Sequence, residues 1–316
     1  MMPTDSTESA ERVKGITRVD VAELVALRAR ALQPAEQPAH RRAAVAGGHA
    51  SAARGRGMDY AESRAYQPGD DVRHIDWRRT ARSGKFHTKL FEADRERGVL
   101  IAIDTHATMR FGTRQRFKSV AAARAAAWLA WTAVRGGDRV GALAFGDVRA
   151  AIDPQIGARG ALAVVGAVAE WDAKAAAASV TGTEILSAVA QRAERLAPRG
   201  GRFWLLSDGW CVDAAARQAL ARLARRTDVV VVVVADPLEH ALPPAGSYTF
   251  EAATGVRPVD LTGGAARAAF QHSLGRGERE LLEVCRAAGI ETAVLTTLDE
   301  PDRVLAPFWR RRRARS

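Results

Sequence analysis

Apolar residues along the chain fall into two alternating kinds of block. The first kind is nearly continuous: VLIAID (99–104), RVGALAF (139–145), RFWLLSD (202–208), DVVVVVVAD (228–236) and ETAVLTT (291–297). Runs this short and this apolar are what strands buried on both faces look like. The second kind repeats at helical spacing, over Arg116–Val134, Ala158–Trp171, Glu184–Leu196, Ala214–Thr227 and Ala265–Ala288. Strand and helix in strict alternation predict a doubly wound, mostly parallel sheet covered on both faces, an α/β fold. One exception is expected. RVGALAF is followed at once by VRAAI (148–152), with Gly146-Asp147 between them, which suits a tight hairpin and hence one antiparallel edge strand. Pro237–Thr262 has no clear period, and the chain closes on a short helix running into RRRRARS.

Ahead of this alternation the pattern is thinner. Val19–Leu32 reads as an amphipathic helix, and Pro34–Arg56, rich in Pro, Ala, Gly and Arg, as a linker. The folded part is expected to begin near Gly57, giving four segments: 1–56 with the helix and linker, 57–98 packed on the main domain, 99–308 as the α/β domain, and a basic tail at 309–316. The longest apolar run, Val229–Ala235, is far below the roughly 20 residues that cross a bilayer, and the first residues carry acids but no apolar h-region. A cytoplasmic location is therefore expected.

Composition changes this picture little. The 316 residues are 47% hydrophobic, enough for a substantial core, and the net charge is +11. That charge would suit nucleic acid or anionic lipid, but no basic helix with interleaved aromatics accompanies it, so a generally basic surface is the simpler reading. Cys211 and Cys285 are too few and too far apart for a disulfide framework or a zinc site.

Ligands of open α/β sheets gather at the carboxyl ends of the strands, where Asp104 and Asp208 stand. Either acid can equally be a cap for the helix that follows. A second cluster lies upstream. Tyr66-Gln67-Pro68-Gly69-Asp70-Asp71 has the form of a type II turn presenting two acids, and Asp76-Trp77-Arg78-Arg79 follows five residues later. The acids and Arg residues can form a structural ion network, a partner-docking surface or a two-metal hydrolytic site, and Trp77 beside Arg78 has the composition of an interface hot spot. No G-x-S-x-G elbow, Walker A loop, H-E-x-x-H or C-x-x-C is present.

The run from Asp70 to Trp77, D-D-x-R-x-I-D-W, resembles the signature of the DUF58 family, and the similarity extends from about Arg54 to Phe308. The resemblance implies a von Willebrand factor A-like domain. Such domains hold a divalent cation, commonly Mg2+, at a metal-ion-dependent adhesion site of pattern Asp-x-Ser-x-Ser with a distant Thr and Asp. Here the corresponding residues are Asp104, His106, Thr108, Thr183 and Asp208, with His106 departing from the pattern. An imidazole there reads as a satisfied turn histidine, as closure of a degenerate site, or as a ligand for a softer metal. Relatives in the family are commonly encoded beside MoxR-type AAA+ ATPases, and many carry membrane helices ahead of the signature. The resemblance thus implies a non-enzymatic adaptor that grips an ATPase or client protein, with Asp70, Asp71, Arg73, Asp76, Trp77 and Arg78 as further partner-binding residues. A metal-dependent hydrolase using the signature carboxylates and a nucleic-acid-binding protein are the alternatives.

Overall fold

The computed structural model describes residues 14–32, 59–67, 72, 75–92, 98–178, 182–252 and 255–315. Contacts divide the chain into two units, residues 1–35 with 97–316 and residues 36–96. The larger unit opens with helix α1 (Val21–Leu32), whose Leu24, Leu27 and Ala31 are buried. The smaller unit contains strand β1 (Asp59–Ala65), helix α2 (Trp77–Ser83) and strand β2 (His87–Glu92), with β1 and β2 antiparallel. Asp70, Asp71 and Arg73 lie outside the described residues.

The larger unit resumes with β3 (Gly98–Asp104), α3 (Lys118–Arg135), β4 (Arg139–Phe145), β5 (Ala150–Gln155), α4 (Gly157–Ala177), α5 (Leu186–Leu196) and β6 (Arg202–Ser207). It continues through α6 (Ala216–Ala224), β7 (Asp228–Ala235), the single turn α7 (Pro237–His240), β8 (Ser247–Ala252), β9 (Gly255–Asp260), α8 (Gly264–Leu274), α9 (Arg276–Ala288), β10 (Glu291–Thr296) and α10 (Pro301–Arg315). Six strands form one sheet in the order β10-β7-β6-β3-β4-β5. All neighbours are parallel except β4 and β5, which form the expected hairpin; Gly146 at its turn has φ +101°, a conformation that side chains resist. The mixed α/β sheet with one antiparallel edge strand therefore stands as the sequence implies.

Successive strand residues point to opposite faces, and this period builds two apolar layers. Val99, Ile101, Ile103, Trp204, Val230 and Val232 pack with α1, α3 and α4 on one side. Leu100, Ala102, Phe203, Leu205, Val229 and Val231 pack with α5, α6 and α9 on the other. Helix α3 is buried almost all round because its Ala-rich surface lets both the sheet and α1 approach closely. Its Trp131 Nε1 donates to the Leu24 carbonyl at 3.2 Å, and Arg124 pairs with Glu23 and Glu300. Residues Trp128 and Trp131 are thus core and helix-contact residues, and α1, taken from sequence as part of a separate leader segment, belongs to the larger unit.

Other expectations are corrected. The irregular stretch 237–262 holds the β8–β9 hairpin, and the predicted helix 265–288 is two helices that meet at Gly275. The terminal helix is not short: it spans 15 residues, so residues 309–315 extend a helix rather than forming a tail. It is anchored by Trp309, which stacks on Trp204 at 6.2 Å between ring centres.

Candidate functional site at the carboxyl edge of the sheet

Counted along the chain from β3, the six strands run 3-2-1-4-5-6, the order whose topological switch lies between the first and fourth strands. These are β3 and β6. Chains leaving them diverge to opposite faces of the sheet, so the residues just past both strands border a crevice. Asp104 ends β3, and Ser207 and Asp208 end β6; all three are buried.

Asp104 is held on both oxygens. Its Oδ1 accepts from the His106 backbone N–H at 2.9 Å and lies 2.7 Å from His106 Nδ1, while its Oδ2 accepts from Ser207 Oγ at 2.6 Å. Burial disfavours the charged imidazole of His106, but the hydrogen bond to Asp104 and the charges of Asp104, Asp147 and Asp208 outweigh it and raise its pKa. The ring is a hydrogen-bonding partner for Asp104 inside the fold.

Asp208 is paired by a residue that sequence reasoning missed. Lys118, first residue of α3, is fully buried, and its Nζ donates to Asp208 Oδ2 at 2.9 Å and to Glu239 Oε1 at 3.0 Å. A cation at a helix N-terminus opposes the helix dipole, and α3 has no acid in its first turn to offset it. Two carboxylates from β6 and α7 provide that offset instead, and Nζ also sits 5.6 Å from the Phe111 ring centre. Burial works against the ammonium, yet the charges of Asp208 and Glu239 more than compensate and hold its pKa above the ordinary lysine value. Burial pushes the carboxyls of Asp208 and Glu239 up, with Lys118 pulling each back.

The third strand tip joins the same network. Asp236, directly after β7, accepts from Leu238 N and Thr113 Oγ1 on one oxygen and from Thr113 N and Thr297 Oγ1 on the other. Glu239 Oε2 accepts from Asp236 N at 2.9 Å, completing a capping box on α7. Asp208 Oδ1 takes the Trp210 N–H at 3.2 Å. Every carboxylate oxygen of Asp104, Asp208, Asp236 and Glu239 therefore already accepts from an internal donor.

The other expected cation ligands do not converge in the same way. Thr108 sits in the 3-10 turn 107–109 with its hydroxyl enclosed and without a hydrogen-bond partner, and Thr183 is exposed. The loop before Thr183 is pinned from behind: Gly182 N donates to Asp147 Oδ1 at 2.5 Å, and a Cβ on Gly182 would fall 1.9 Å from the Gly146 carbonyl oxygen. A hard divalent ion needs several oxygens free to bind it. Among the described residues, no group of three or more His, Cys, Asp or Glu side chains is arranged to hold a metal. With every one of these carboxylate oxygens already engaged and an ammonium between Asp208 and Glu239, the residues present do not fit a divalent cation, and one orphaned hydroxyl does not change that.

Next to this closed network the surface is apolar. The Leu186 N–H donates to the Cys211 carbonyl at 2.8 Å, which brings the segments carrying Ile185 and Trp210 together, and these side chains are 47% and 40% exposed. Arg276 lies over the Trp210 ring at 5.8 Å. In the smaller unit Asp76 is a buried helix cap, accepting from Arg79 N at 3.1 Å, whereas Trp77 is 64% exposed and Arg78 is exposed beside it.

Residues 62–280 match the family model described as "Protein of unknown function DUF58". The chain belongs to this family. Uncharacterized proteins of Mycobacterium bovis and of two Mycobacterium tuberculosis strains are 32% identical over 212 residues, covering 65% of this chain. The matched region spans 63% of the length of these curated relatives. Among solved structures, the conserved hypothetical protein BatB of Bacteroides thetaiotaomicron aligns over 70% of this chain and all of its own, with 15% identity and a TM-score of 0.44. An aerotolerance-related membrane protein of Bacteroides fragilis covers 66% of this chain and 94% of its own, with 14% identity and a TM-score of 0.35. Likeness at these scores is too slight to assign a shared fold. No described helix of this DUF58 protein is long and apolar enough to cross a membrane.

Proposed function

We propose that this DUF58 protein is a non-enzymatic, protein-binding adaptor with a von Willebrand factor A-like domain, working beside a MoxR-type AAA+ ATPase in the assembly or maturation of client proteins. The observation that carries this reading is the contrast at the carboxyl edge of the sheet. Asp104, Asp208, Asp236 and Glu239 are each engaged by internal donors on both oxygens, while Ile185 and Trp210 beside them face solvent. Catalysis needs groups free to exchange protons or electrons with a substrate, whereas binding needs an apolar and aromatic anchor in a fixed frame. The antiparallel edge strand supports the von Willebrand A-like assignment, and Arg276 over Trp210 adds the aromatic and Arg pairing enriched at interfaces.

The test is a pulldown from lysate of the source organism with the purified protein as bait, in four arms with and without Mg2+ and ATP, read by mass spectrometry. Recovery of an AAA+ ATPase is expected, and it survives EDTA when nucleotide is absent. Failure to recover an AAA+ ATPase in any arm, or recovery of nucleic acid alone, refutes the reading; recovery that collapses in EDTA refutes only the metal independence of the contact.

A further inference from the structure

We propose that the Lys118 ammonium is a built-in cation on Asp208, an acid that a von Willebrand A-like domain would turn to its divalent ion, so that the strand-tip site is closed to metal. This rests on the von Willebrand A-like reading of the fold, but not on the adaptor role or the identity of any partner.

Three observations lead to it. Lys118 reaches the strand tips from the start of α3, the helix that follows β3, and its position against the helix dipole has no local justification. Its Nζ lies within hydrogen-bond distance of carboxylates from two different elements, one being the acid that the family pattern assigns to the cation. The remaining assigned acid, Asp104, is balanced separately by His106 and Ser207. An ammonium supplies one positive charge and three donors to carboxylates that a divalent ion would otherwise have to hold together. Unlike an ion, it cannot dissociate. A partner carboxylate therefore finds no open coordination position to complete, and recognition falls to the exposed rim.

The experiment uses the full chain and Mn2+ as the probe, with free Mn2+ read by electron paramagnetic resonance and folding read by thermal denaturation, in the wild type, Lys118→Ala and Lys118→Ala/Asp208→Asn. The wild type is expected to show no saturable Mn2+ binding and no shift in melting temperature. Lys118→Ala should be less stable, gain one saturable Mn2+ site and recover stability with the ion; adding Asp208→Asn should abolish that gain. Saturable Mn2+ binding by the wild type overturns the proposal. So does a Lys118→Ala protein that is folded and indifferent to Mn2+, or one that stays unfolded in its presence. No partner enters the assay, so a failed adaptor reading and a failed built-in cation give separate results.

Discussion

Replacing Lys118 by Met keeps an unbranched stem of similar length, one atom shorter, and removes the charge and donors, which makes it a probe of the buried network. In the folded protein Lys118 and Asp208 are each 2% exposed and Glu239 5%, and both contacts are at ordinary hydrogen-bond length. Solvent cannot rescue the carboxylates when the ammonium is gone. Breaking a buried pair by deleting one partner costs about 3–5 kcal/mol, because the other charge is left desolvated and uncompensated. For a domain of this size each kcal/mol lowers the melting temperature by about 2–4 °C, so the expected fall is roughly 6–20 °C. Urea denaturation followed by circular dichroism gives the free energy directly. Adding Asp208→Asn removes the stranded charge, and the double mutant should be more stable than the two single losses sum to, with a coupling of about 1–3 kcal/mol. A Lys118→Met loss below about 1 kcal/mol, without coupling to Asp208, would refute the argument that this ammonium holds the strand tips together.

Further outcomes are expected at Ser207, Gly182, Cys285 and Trp210. Ser207→Ala removes the 2.6 Å hydrogen bond to a buried carboxylate and should cost about 1.5–3 kcal/mol in urea denaturation; a change within error would mean that Asp104 does not depend on it. Gly182→Ala drives a Cβ into the Gly146 carbonyl and should destabilise by about 1–3 kcal/mol, whereas Gly263→Ala, where nothing lies nearby, should change stability by less than about 1 kcal/mol. Burial raises the Cys285 thiol to about 12, so it should resist alkylation in the native state at neutral pH and react only on unfolding. The same shift makes the Cys285 contribution fully present below the unfolded thiol pKa near 9 and lost as pH rises from there towards 12, so stability should fall across that window and fall less in Cys285→Ala. Trp210→Ala should weaken capture of the proposed ATPase partner by about 30-fold, as loss of a hot spot of about 2 kcal/mol would, with melting temperature unchanged; undiminished capture would remove Trp210 from the proposed interface.

The strands were legible because a strand buried on both faces writes an unbroken apolar run, and each of the five predicted runs is a strand of the central sheet. Helix boundaries were less so. Ala-rich α3 and α4 carry little contrast between faces, and α4 runs six residues past Trp171. The break at Gly275 was hidden because α8 and α9 are both helical in pattern and only the glycine separates them. Hairpin β8–β9 went unread because its one alternating run, SYTFEA, is short and the exposed β9 carries Pro258, which argues against a strand. At the site, Asp104 and Asp208 could be found by following strands to their ends, and the same rule points to Asp236, which closes the most apolar strand. Pro237-Leu238-Glu239 after it completes the capping-box spacing, a local signal for Glu239. For Lys118 the signal is weaker but physical: a lone lysine opening an Ala-rich helix, in a chain with only five lysines, calls for an acid to offset it against the helix dipole. Which acid depends on long-range packing, since its partners are 90 and 121 residues away.

That separation also explains what the network accomplishes. Its hydrogen bonds tie together the residues after β3, the start of α3, the tips of β6 and β7, the turn α7 and Thr297 after β10. Loops at the carboxyl edge of an open sheet are ordinarily its most mobile part, and a binding surface built on them would lose ordering entropy each time a partner docks. Here the loop carrying Trp210 leaves directly from the anchored Asp208, whose Oδ1 accepts the Trp210 N–H, and the Ile185 segment is bonded to the next residue, Cys211. Charge buried at the strand tips thus contributes rigidity to the rim formed by Ile185, Trp210 and the overlying Arg276. An exchangeable metal would make that rigidity conditional on ion supply; a lysine makes it permanent. The expected consequence is that loss of Lys118 weakens partner capture even when the protein is held well below its melting temperature. Trp210→Ala, by contrast, weakens capture without touching stability. A pair of variants that fail to separate in this way would mean that frame and rim are not distinct.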